Sequence, residues 1–450
     1  MEEKTIKQFC DHEYISFASY DVYRKIANVV DGLKVSARKV LYTCIEDNKQ
    51  DKLKKVEALS NRAAEFTDYH HGSNSLVGVI VGLAQRYVGS NNIPLLKADG
   101  QFGIRLIPEA AAPRYIFTCK ESYVNELFSS EDIPVLEQQY SDDQKIEPKF
   151  YVPVLPMILV NGSVGLAVGF AQNILPRNPS DLIKYINRKL IGQNCNNELL
   201  PYWKGFKGKV VQREPGVYDI YGHIRIENKT IIIDELPIGL DYNKYIAILD
   251  KLVETKKILK YIDKCDTKAD NILFEIKLTP QTYQEISSNP IQLIDILKLK
   301  ISETENYTCI DHLGNVKVYS NIYQILDEYI AIRLEYYNKR KQYNISKYLQ
   351  ELNILLSKCL FIKAVIDNKI NLKNHTLLQI IEQIEQIPNI IKQNNSYDYL
   401  LKMPIWSLTL EKYKELCDIV KTKKQFLDNY KQISVSDMWK QEINNLDIVY

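Results

Sequence analysis

The stretch GSNSLVGVIVGLAQRY, residues 72–87, gives the clearest structural signal in the sequence. Its apolar residues recur at positions i, i+3, i+4, i+7, i+8 and i+11, which places them on one helical face. These residues are Leu76, Val79, Ile80, Leu83, Ala84 and Tyr87. The run Gly72-Ser73-Asn74-Ser75 before them contains helix-capping residue types. The pattern predicts a helix that starts near Ser75 and buries one apolar face.

A second helical pattern lies upstream, after the turn Asp31-Gly32. Its apolar face is formed by Ala37, Val40, Leu41, Cys44 and Ile45. Arg38 falls at the edge of this face and Lys39 outside it, so both cations are predicted to face a partner. Two short basic helices joined by turns indicate a helix-turn-helix, a motif that many DNA-binding proteins use.

The rest of the chain changes character twice. From Tyr151 to about Leu313 the sequence is typical of strands punctuated by Gly and Pro, including residues 230–237. Further on, a strict 3-4-3-4 apolar spacing predicts two long helices that pair as an antiparallel coiled coil, with small helices in residues 368–399. That spacing is carried by Ile345, Tyr348, Leu352, Leu355, Cys359, Ile362 and Ile366, then by Leu410, Tyr413, Cys417 and Val420. The expected fold class is a multidomain α+β protein.

Composition excludes several classes of protein. The formal net charge is only +2, from 58 Lys and Arg against 56 Asp and Glu, so an anionic partner must be bound by a local surface. The eight cysteines form no CxxC pair and have no His at metal-ligand spacing, which predicts free thiols in a reducing compartment. The longest uncharged run, residues 152–171, is broken by prolines and glycines, and we expect no membrane partner.

The segment AAAPRYIFT, residues 110–118, is the most informative for chemistry. It follows a turn that contains Gly100 and Gly103. Small alanines allow another backbone to approach closely, so Tyr115 is placed where a bulky polymer can reach it. The chain contains no GxxxxGK[ST] nucleotide loop and no DxD cluster of the kind that binds catalytic magnesium.

Together with three other segments, this one resembles the breakage-reunion region of type IIA DNA topoisomerases. The other segments are DGLKVSARKVLY (31–42), TDYHHGSNSL (67–76) and LPMILVNGSVGLAVGF (155–170). The resemblance continues through YWKGFKG (202–208), DELP (234–237), RLEYY (333–337) and MPIWSLT (403–409), and so covers nearly the whole chain. The adjacent His70 and His71 resemble the eukaryotic enzyme more than bacterial gyrase, in which a proline separates the two histidines.

The resemblance implies three domains and an activity. Residues 1–150 would form a winged-helix cleavage domain, residues 151–320 a mixed α/β tower domain, and residues 321–450 a coiled coil with an exit-gate dimer interface. The implied function is the DNA-cleavage and religation subunit of an ATP-dependent type II topoisomerase. Such a subunit makes a transient double-strand break through 5′-phosphotyrosyl links. A different class of function, a DNA-bending architectural protein on the same scaffold that does not cleave, remains open.

The resemblance also implies the site residues. Tyr115 would be the nucleophile, with Arg114, Arg38 and His71 converging on the scissile phosphate. Weaker correspondences for DNA binding are Lys39, His70, Ser75 and Gln85, with solvated surface residues or a capped turn at His70-His71 as the alternatives. Leu166 corresponds to the apolar wedge that bends DNA, and the alternative is a buried strand residue. An aromatic that follows DELP in the eukaryotic enzyme is replaced here by Ile238-Gly239.

Because the sequence contains no nucleotide loop and no DxD cluster, the resemblance implies that partners bind the cofactors. Mg²⁺ is expected on the TOPRIM module of a partner, ATP on a partner's ATPase module, and the chain itself is expected to form a homodimer on double-stranded DNA. Met1 followed by a charged, plausible helix favours a separate subunit, like the medium subunit of T-even-type phage topoisomerase, over a piece of a fused enzyme. The expected location is then the cytoplasm of an infected bacterium.

Overall fold

The computed structural model describes residues 5–46, 52–193, 198–227, 230–280, 282–283, 291–372 and 375–446. The chain forms two compact units. The first comprises Met1–Arg333 and Lys440–Tyr450, and the second comprises Leu334–Trp439. The described elements combine helices with small antiparallel sheets, as expected for an α+β protein.

The first unit opens with helices. They are α1 (Ile6–Phe9), α2 (Ile15–Lys25), α3 (Val35–Glu46), α4 (Val56–Phe66) and α5 (Ser73–Ala84), and a π-helical turn, Cys10–Tyr14, joins α1 to α2. The two helices that periodicity predicts are present as α3 and α5. Helix α5 starts two residues earlier than expected and ends before Tyr87, which lies in the following loop. Helix α4, between them, is absent from the sequence-based prediction, although its Val56, Leu59 and Ala63 recur at i, i+3 and i+7.

Helices α3, α4 and α5 share one apolar core. Its buried residues include Val40 and Cys44 of α3, Leu59 and Ala63 of α4, and Leu76, Ile80 and Ala84 of α5. Two short strands, β1 (Lys54–Lys55) and β2 (Phe117–Thr118), pair beside this core. Ile116 is part of the same buried cluster, so the core reaches the residue next to Tyr115.

Short elements connect this helical part to the sheets. They are α6 (Val124–Leu127), β3 (Gln138–Ser141), β4 (Gln144–Pro148), α7 (Met157–Val160), β5 (Ser163–Ala167), β6 (Phe170–Ile174) and α8 (Pro179–Leu190). Strands β5 and β6 form a hairpin in which Leu166 pairs with Ala171. Its two-residue turn contains Gly169 with φ of 76°, a left-handed conformation that glycine adopts without strain.

Antiparallel sheets fill the remainder of the first unit. The strands are β7 (Lys209–Glu214), β8 (Val217–Tyr221), β9 (His223–Glu227), β10 (Thr230–Glu235), β11 (Ile258–Asp263), β12 (Phe274–Leu278), β13 (Lys300–Thr304), β14 (Thr308–Ile310) and β15 (Val316–Val318). One sheet has the order β11-β12-β10-β9 and another β13-β8-β7. Helices α9 (Tyr242–Glu254) and α10 (Ile291–Ile296) accompany them. The strand predicted within residues 230–237 is β10, and its Ile231 and Ile233 are buried.

A buried ion pair fixes the segment that follows the β5–β6 hairpin. The Nη2 atom of Arg177 lies 2.7 Å from Oε2 of Glu305, and both side chains are fully buried. Oε1 of Glu305 accepts a hydrogen bond of 2.8 Å from the backbone N–H of Leu175, one residue after β6. The pair therefore holds the base of the hairpin in one position.

Long helices characterise the second unit. The helices of this region are α11 (Ile322–Ile366), α12 (Leu377–Glu385), α13 (Asp398–Leu401), α14 (Leu410–Gln432) and α15 (Val435–Asn445). Asn344 of α11 donates to Oη of Tyr430 of α14 at 3.0 Å, whereas Cys359, further along α11, packs near Leu416, close to the start of α14. The two helices are therefore antiparallel, as the apolar spacing predicts. Among the described residues, no helix is long and apolar enough to cross a bilayer.

Candidate functional site

Tyr115 lies on the surface in a tight turn. Its side chain is 67% exposed, and its backbone N–H donates to the carbonyl of Ala112 at 2.9 Å. The guanidinium carbon of Arg114 lies 5.1 Å from the centroid of the Tyr115 ring. A hydroxyl with nucleophilic potential and a cation therefore share one exposed surface.

The chain on both sides of Tyr115 is firmly held. The N–H of Ala111 donates to the carbonyl of Gln101 at 2.9 Å, and the N–H of Val56, at the start of α4, donates to the carbonyl of Ile116 at 3.0 Å. Ile116 is buried, and a Cβ atom on Gly100 would lie only 3.0 Å from its Cγ2 atom. The turn thus presents one exposed tyrosine from a framework with little freedom to move.

His71 lies in the turn before α5, between two tyrosines. Its Nε2 atom is 2.6 Å from the hydroxyl of Tyr20, a residue of α2. Its ring centroid is 6.0 Å from that of Tyr20 and 5.5 Å from that of Tyr69. Desolvation lowers the pKa of His71, and the positive charges of Arg24 and His70 lower it further. The site therefore favours the neutral imidazole.

The neighbouring residues of this turn make local contacts. His70 is exposed, and its Nε2 atom lies 3.3 Å from Oδ2 of Asp68. The hydroxyl of Ser75 donates to the carbonyl of Gly72 at 2.8 Å and lies 3.0 Å from the hydroxyl of Tyr69. Both side chains remain on the surface, so DNA contact by His70 and Ser75 stays a prediction.

Arg38 does not face a partner as predicted. Its side chain is buried, with 2% of the residue exposed, and its Nε and Nη2 atoms bind the two carboxylate oxygens of Asp31 at 2.7 and 3.1 Å. Burial disfavours the Arg38 cation, but the Asp31 carboxylate outweighs that effect and raises the pKa of Arg38. The outward orientation is wrong because Asp31, in the turn before α3, pairs with this cation; the role of Arg38 at the scissile phosphate stays a prediction.

Lys39 is also buried, contrary to the prediction. Its ammonium donates to the carbonyl of Thr67 at 2.6 Å and lies 2.9 Å from Oε1 of Glu147, a buried residue of β4. Glu147 lies 108 positions away in the sequence, and no local pattern announces it. Lys39 therefore ties α3 to the end of α4 and to β4.

Gln85, just after α5, supports the segment that leads to Tyr115. Its Nε2 atom donates to the carbonyls of Phe102 and Pro108 at 2.9 and 3.1 Å. A Cβ atom on Gly103 would lie 2.4 Å from that same Pro108 carbonyl, so only glycine fits this close approach. Gln85 thus stabilises the loop, and a DNA contact from it stays a prediction.

Leu166 is 76% exposed on β5, and Val164 points the same way with 69% exposed. The interpretation of Leu166 as a buried strand residue is therefore wrong. The hairpin that carries it is anchored, because Oδ2 of Asp21 accepts from the N–H of Val168 at 3.1 Å and Nζ of Lys34 donates to the carbonyl of Val164 at 2.7 Å. An apolar side chain is thus held in solvent by a rigid support.

A depression of about 770 Å³ lies beside the hairpin. Its wall includes Leu166, Gln85, Trp203 and Ile238, so the residue that follows DELP borders the same surface as Leu166. Within the described ranges, no three His, Cys, Asp or Glu side chains come together as a metal site.

Two contributors to the site are missing from the sequence-based prediction. Asp31 enters that prediction only as part of a turn, although a carboxylate seven residues before Arg38 was available as its partner. Tyr20 lies 51 positions from His71, and nothing in the local sequence links the two. The Tyr20–His71 contact depends on tertiary packing of α2, whereas the Asp31–Arg38 pair joins a turn to the helix that follows it.

Comparisons with known proteins agree on one family. Residues 24–444 match the family model for the A subunit of DNA gyrase/topoisomerase IV. The chain is 34% identical to DNA topoisomerase 2 of Plasmodium falciparum and 33% identical to human DNA topoisomerase 2-alpha, covering 98% of this chain and 34% and 31% of those proteins. The Saccharomyces cerevisiae DNA topoisomerase 2 is 33% identical over all of this chain and 35% of its own length.

A solved structure is similar over the same extent. The Plasmodium falciparum topoisomerase II DNA-binding, cleavage and re-ligation domain superposes with a TM-score of 0.84 at 35% identity. The match covers 98% of this chain and 63% of that one. The chain spans about a third of the length of the curated relatives that it matches.

Proposed function

Because the chain belongs to the DNA gyrase/topoisomerase IV family, we propose that it cleaves and religates DNA as part of an ATP-dependent type IIA topoisomerase. A homodimer would cut both strands of one duplex and hold the ends while a second duplex passes. The observation that carries the proposal is the exposed Tyr115, next to Arg114, on a turn fixed to a buried core.

The proposed chemical step is a transesterification. The hydroxyl oxygen of Tyr115 attacks the phosphorus and loses its proton, the bond from phosphorus to the 3′ oxygen breaks, and that oxygen leaves with a proton. A 5′-phosphotyrosyl link results, which conserves the energy of the broken bond for resealing. A tyrosine hydroxyl is almost fully protonated at neutral pH, so it needs groups that stabilise the charge developing on the phosphate.

Cationic and hydrogen-bonding groups around Tyr115 are proposed to supply that stabilisation. Arg114 is free to place its guanidinium on a phosphate oxygen, and His71 offers a ring N–H. Arg38 would act from a fixed position: in the described part of the chain its hydrogen bonds use Nε and Nη2, which leaves Nη1 for the phosphate. Removing one such donor typically lowers the rate about a hundredfold.

Other surface residues are proposed to hold the duplex. His70 and Ser75 flank the start of α5, whose first N–H groups suit a backbone phosphate. Leu166 is proposed as the wedge between base pairs, since its exposure on an anchored hairpin suits that role. We assign no direct DNA contact to Lys39, because its ammonium is bound to Glu147.

We propose that a partner subunit binds Mg²⁺ and ATP. Its TOPRIM module would hold Mg²⁺, which polarises the phosphate, and its ATPase module would bind the ATP that drives strand capture. Residues 1–150, 151–320 and 321–450 would act as cleavage, tower and exit-gate domains. We propose the arrangement of T-even-type phages, in which this is a separate subunit, and with it a location in the cytoplasm of an infected bacterium.

The test is to trap the covalent intermediate. The chain, a TOPRIM-bearing partner, Mg²⁺ and end-labelled duplex DNA are mixed and quenched with denaturant, and labelled protein is then counted. We expect an adduct with the wild type, none with Tyr115→Phe at unchanged DNA affinity, and little without the partner. Wild-type adduct from the Phe variant would overturn the assignment.

Leu166 also supports the second candidate function, an architectural protein that bends DNA without cutting it. Bending needs the wedge and a basic surface but no nucleophile. The same experiment separates the two functions, because an architectural protein would bend the duplex and never give an adduct with any partner.

A further inference from the structure

Tyr20 makes the most specific side-chain contact to His71. The two atoms, Oη of Tyr20 and Nε2 of His71, are 2.6 Å apart, a short hydrogen bond between side chains from α2 and from the turn before α5. The rings tilt by 37° with centroids 6.0 Å apart. No assigned role of Tyr20 accounts for this contact.

We propose that Tyr20 is a positioning residue for His71: its hydroxyl donates to Nε2 and so keeps the ring proton on Nδ1. The proposal rests on the proposed role of His71 in DNA cleavage. It specifies that Nδ1 of His71 faces the phosphate and that Tyr20 fixes this orientation of the ring proton.

The direction of the hydrogen bond follows from the role proposed for His71 at the phosphate. A neutral imidazole has one N–H donor and one bare acceptor nitrogen, whereas the charged form has two donors. Desolvation together with the positive charges of Arg24 and His70 favours the neutral form. A neutral ring allows either direction, but Nδ1 can donate to a phosphate oxygen only if it carries the proton, and Nε2 is then bare and accepts from Tyr20.

Tyr69, the other tyrosine beside the ring, does not hydrogen-bond Nδ1 of His71. It meets the His71 ring edge-on, at an interplanar angle of 70°, while its hydroxyl contacts Ser75 rather than a ring nitrogen. Phosphate oxygens only accept hydrogen bonds, so a nitrogen that binds one must carry a proton. With Nε2 occupied by Tyr20, Nδ1–H is the donor that His71 can offer.

The first test reads the tautomer directly. The full chain, labelled with ¹⁵N-histidine, is examined by long-range ¹H–¹⁵N correlation NMR above the pKa of His71, and His71→Gln identifies the His71 signals. We expect protonated Nδ1 and bare Nε2 in the wild type. In Tyr20→Phe the signals should move toward the Nε2–H tautomer, because the donor to Nε2 is gone.

Tyr69→Phe is the matched control for the tautomer. It also deletes one tyrosine hydroxyl beside His71 but should leave the Nδ1–H tautomer unchanged, since that hydroxyl contacts Ser75. An Nε2–H tautomer in the wild type, or identical tautomers in the wild type and Tyr20→Phe, would overturn the proposal.

The second test measures the cleavage rate with the TOPRIM-bearing partner. Tyr20→Phe should slow cleavage roughly tenfold, the factor that one ordinary hydrogen bond corresponds to, with DNA affinity unchanged. The double variant with His71→Gln should be no slower than His71→Gln alone. If His71→Gln cleaves normally, the role of His71 fails while the NMR result stands; if only Tyr20→Phe cleaves normally, the positioning role fails.

Discussion

Two arginines proposed for the same phosphate occupy opposite surroundings. Arg38 of α3 is buried, and two of its nitrogens bind the carboxylate of Asp31. Arg114, on the Tyr115 turn, lies at the surface against an exposed ring. The Arg38–Asp31 pair is held by its opposite charges, whereas the Tyr115 turn is held by backbone hydrogen bonds and by the buried Ile116.

The two arginines should therefore differ in what they contribute to folding and to DNA cleavage. A buried ion pair must stay intact because each charge is costly alone in the interior. An exposed cation contributes little to folding and is free to bind a phosphate. Substitutions of Arg38 or Asp31 should therefore destabilise the fold, whereas substitution of Arg114 should affect DNA cleavage alone.

The largest expected effect is on Arg38. Arg38→Ala leaves the buried Asp31 carboxylate unpaired, and we expect the first unit to lose about 3–5 kcal/mol of stability. Urea unfolding followed by fluorescence would measure the loss. Arg114→Ala is the matched control, and its transition should shift by less than about 0.5 kcal/mol.

A double variant sharpens the same comparison. Asp31→Ala combined with Arg38→Ala removes both charges, so it should be more stable than the sum of the two single losses predicts. If the loss of unfolding free energy in the double variant equals the sum of the two single losses, the interaction between Asp31 and Arg38 does not stabilise the fold.

Substitution of Leu166, like that of Arg114, should have little effect on the stability of the fold. A buried leucine costs about 2–5 kcal/mol when shortened to alanine, but an exposed one should cost less than about 0.5 kcal/mol. We expect Leu166→Ala to melt normally and to leave bound DNA straighter, measured by energy transfer across a short duplex. Unchanged bending at normal stability would remove the wedge role.

The smallest expected effect concerns pH. Desolvation, and then Arg24 and His70, lower the pKa of His71 below the ordinary value of 6.5. Below pH 6.5 the unfolded chain binds a proton that the folded chain does not, so stability falls slightly as pH drops through the folded pKa. NMR titration of His71 should give a midpoint below 6.5, and Arg24→Gln should raise it. A midpoint that Arg24→Gln leaves unchanged would exclude that charge as a cause.

Periodicity predicts what depends on local spacing. It places α3, α5 and the antiparallel pair α11 and α14, because their apolar residues are large and regularly spaced. Helix α4 gives a weaker signal, since Val56, Leu59 and Ala63 follow helical spacing but its buried face includes the small residues Ser60 and Ala63.

The predictions that are wrong depend on partners outside the predicted helix. Arg38 and Lys39 are predicted to face outward because helical position alone does not show that Asp31 and Glu147 neutralise them. The exposure of Leu166 is equally undecided from sequence, since Val164, Leu166 and Ala167 are all apolar and alternation gives no direction. Sequence identifies the chemical groups, and tertiary packing decides which of them reach the surface.

The covalent link between protein and DNA can be mapped directly, which tests the central role of Tyr115. The denaturant-trapped adduct is digested with nuclease and protease, and the peptide that retains a nucleotide is sequenced by mass spectrometry. With 31 tyrosines in the chain, the result discriminates sharply. We predict a nucleotide on Tyr115 within AAAPRYIFT; a nucleotide on any other residue would contradict the proposed mechanism.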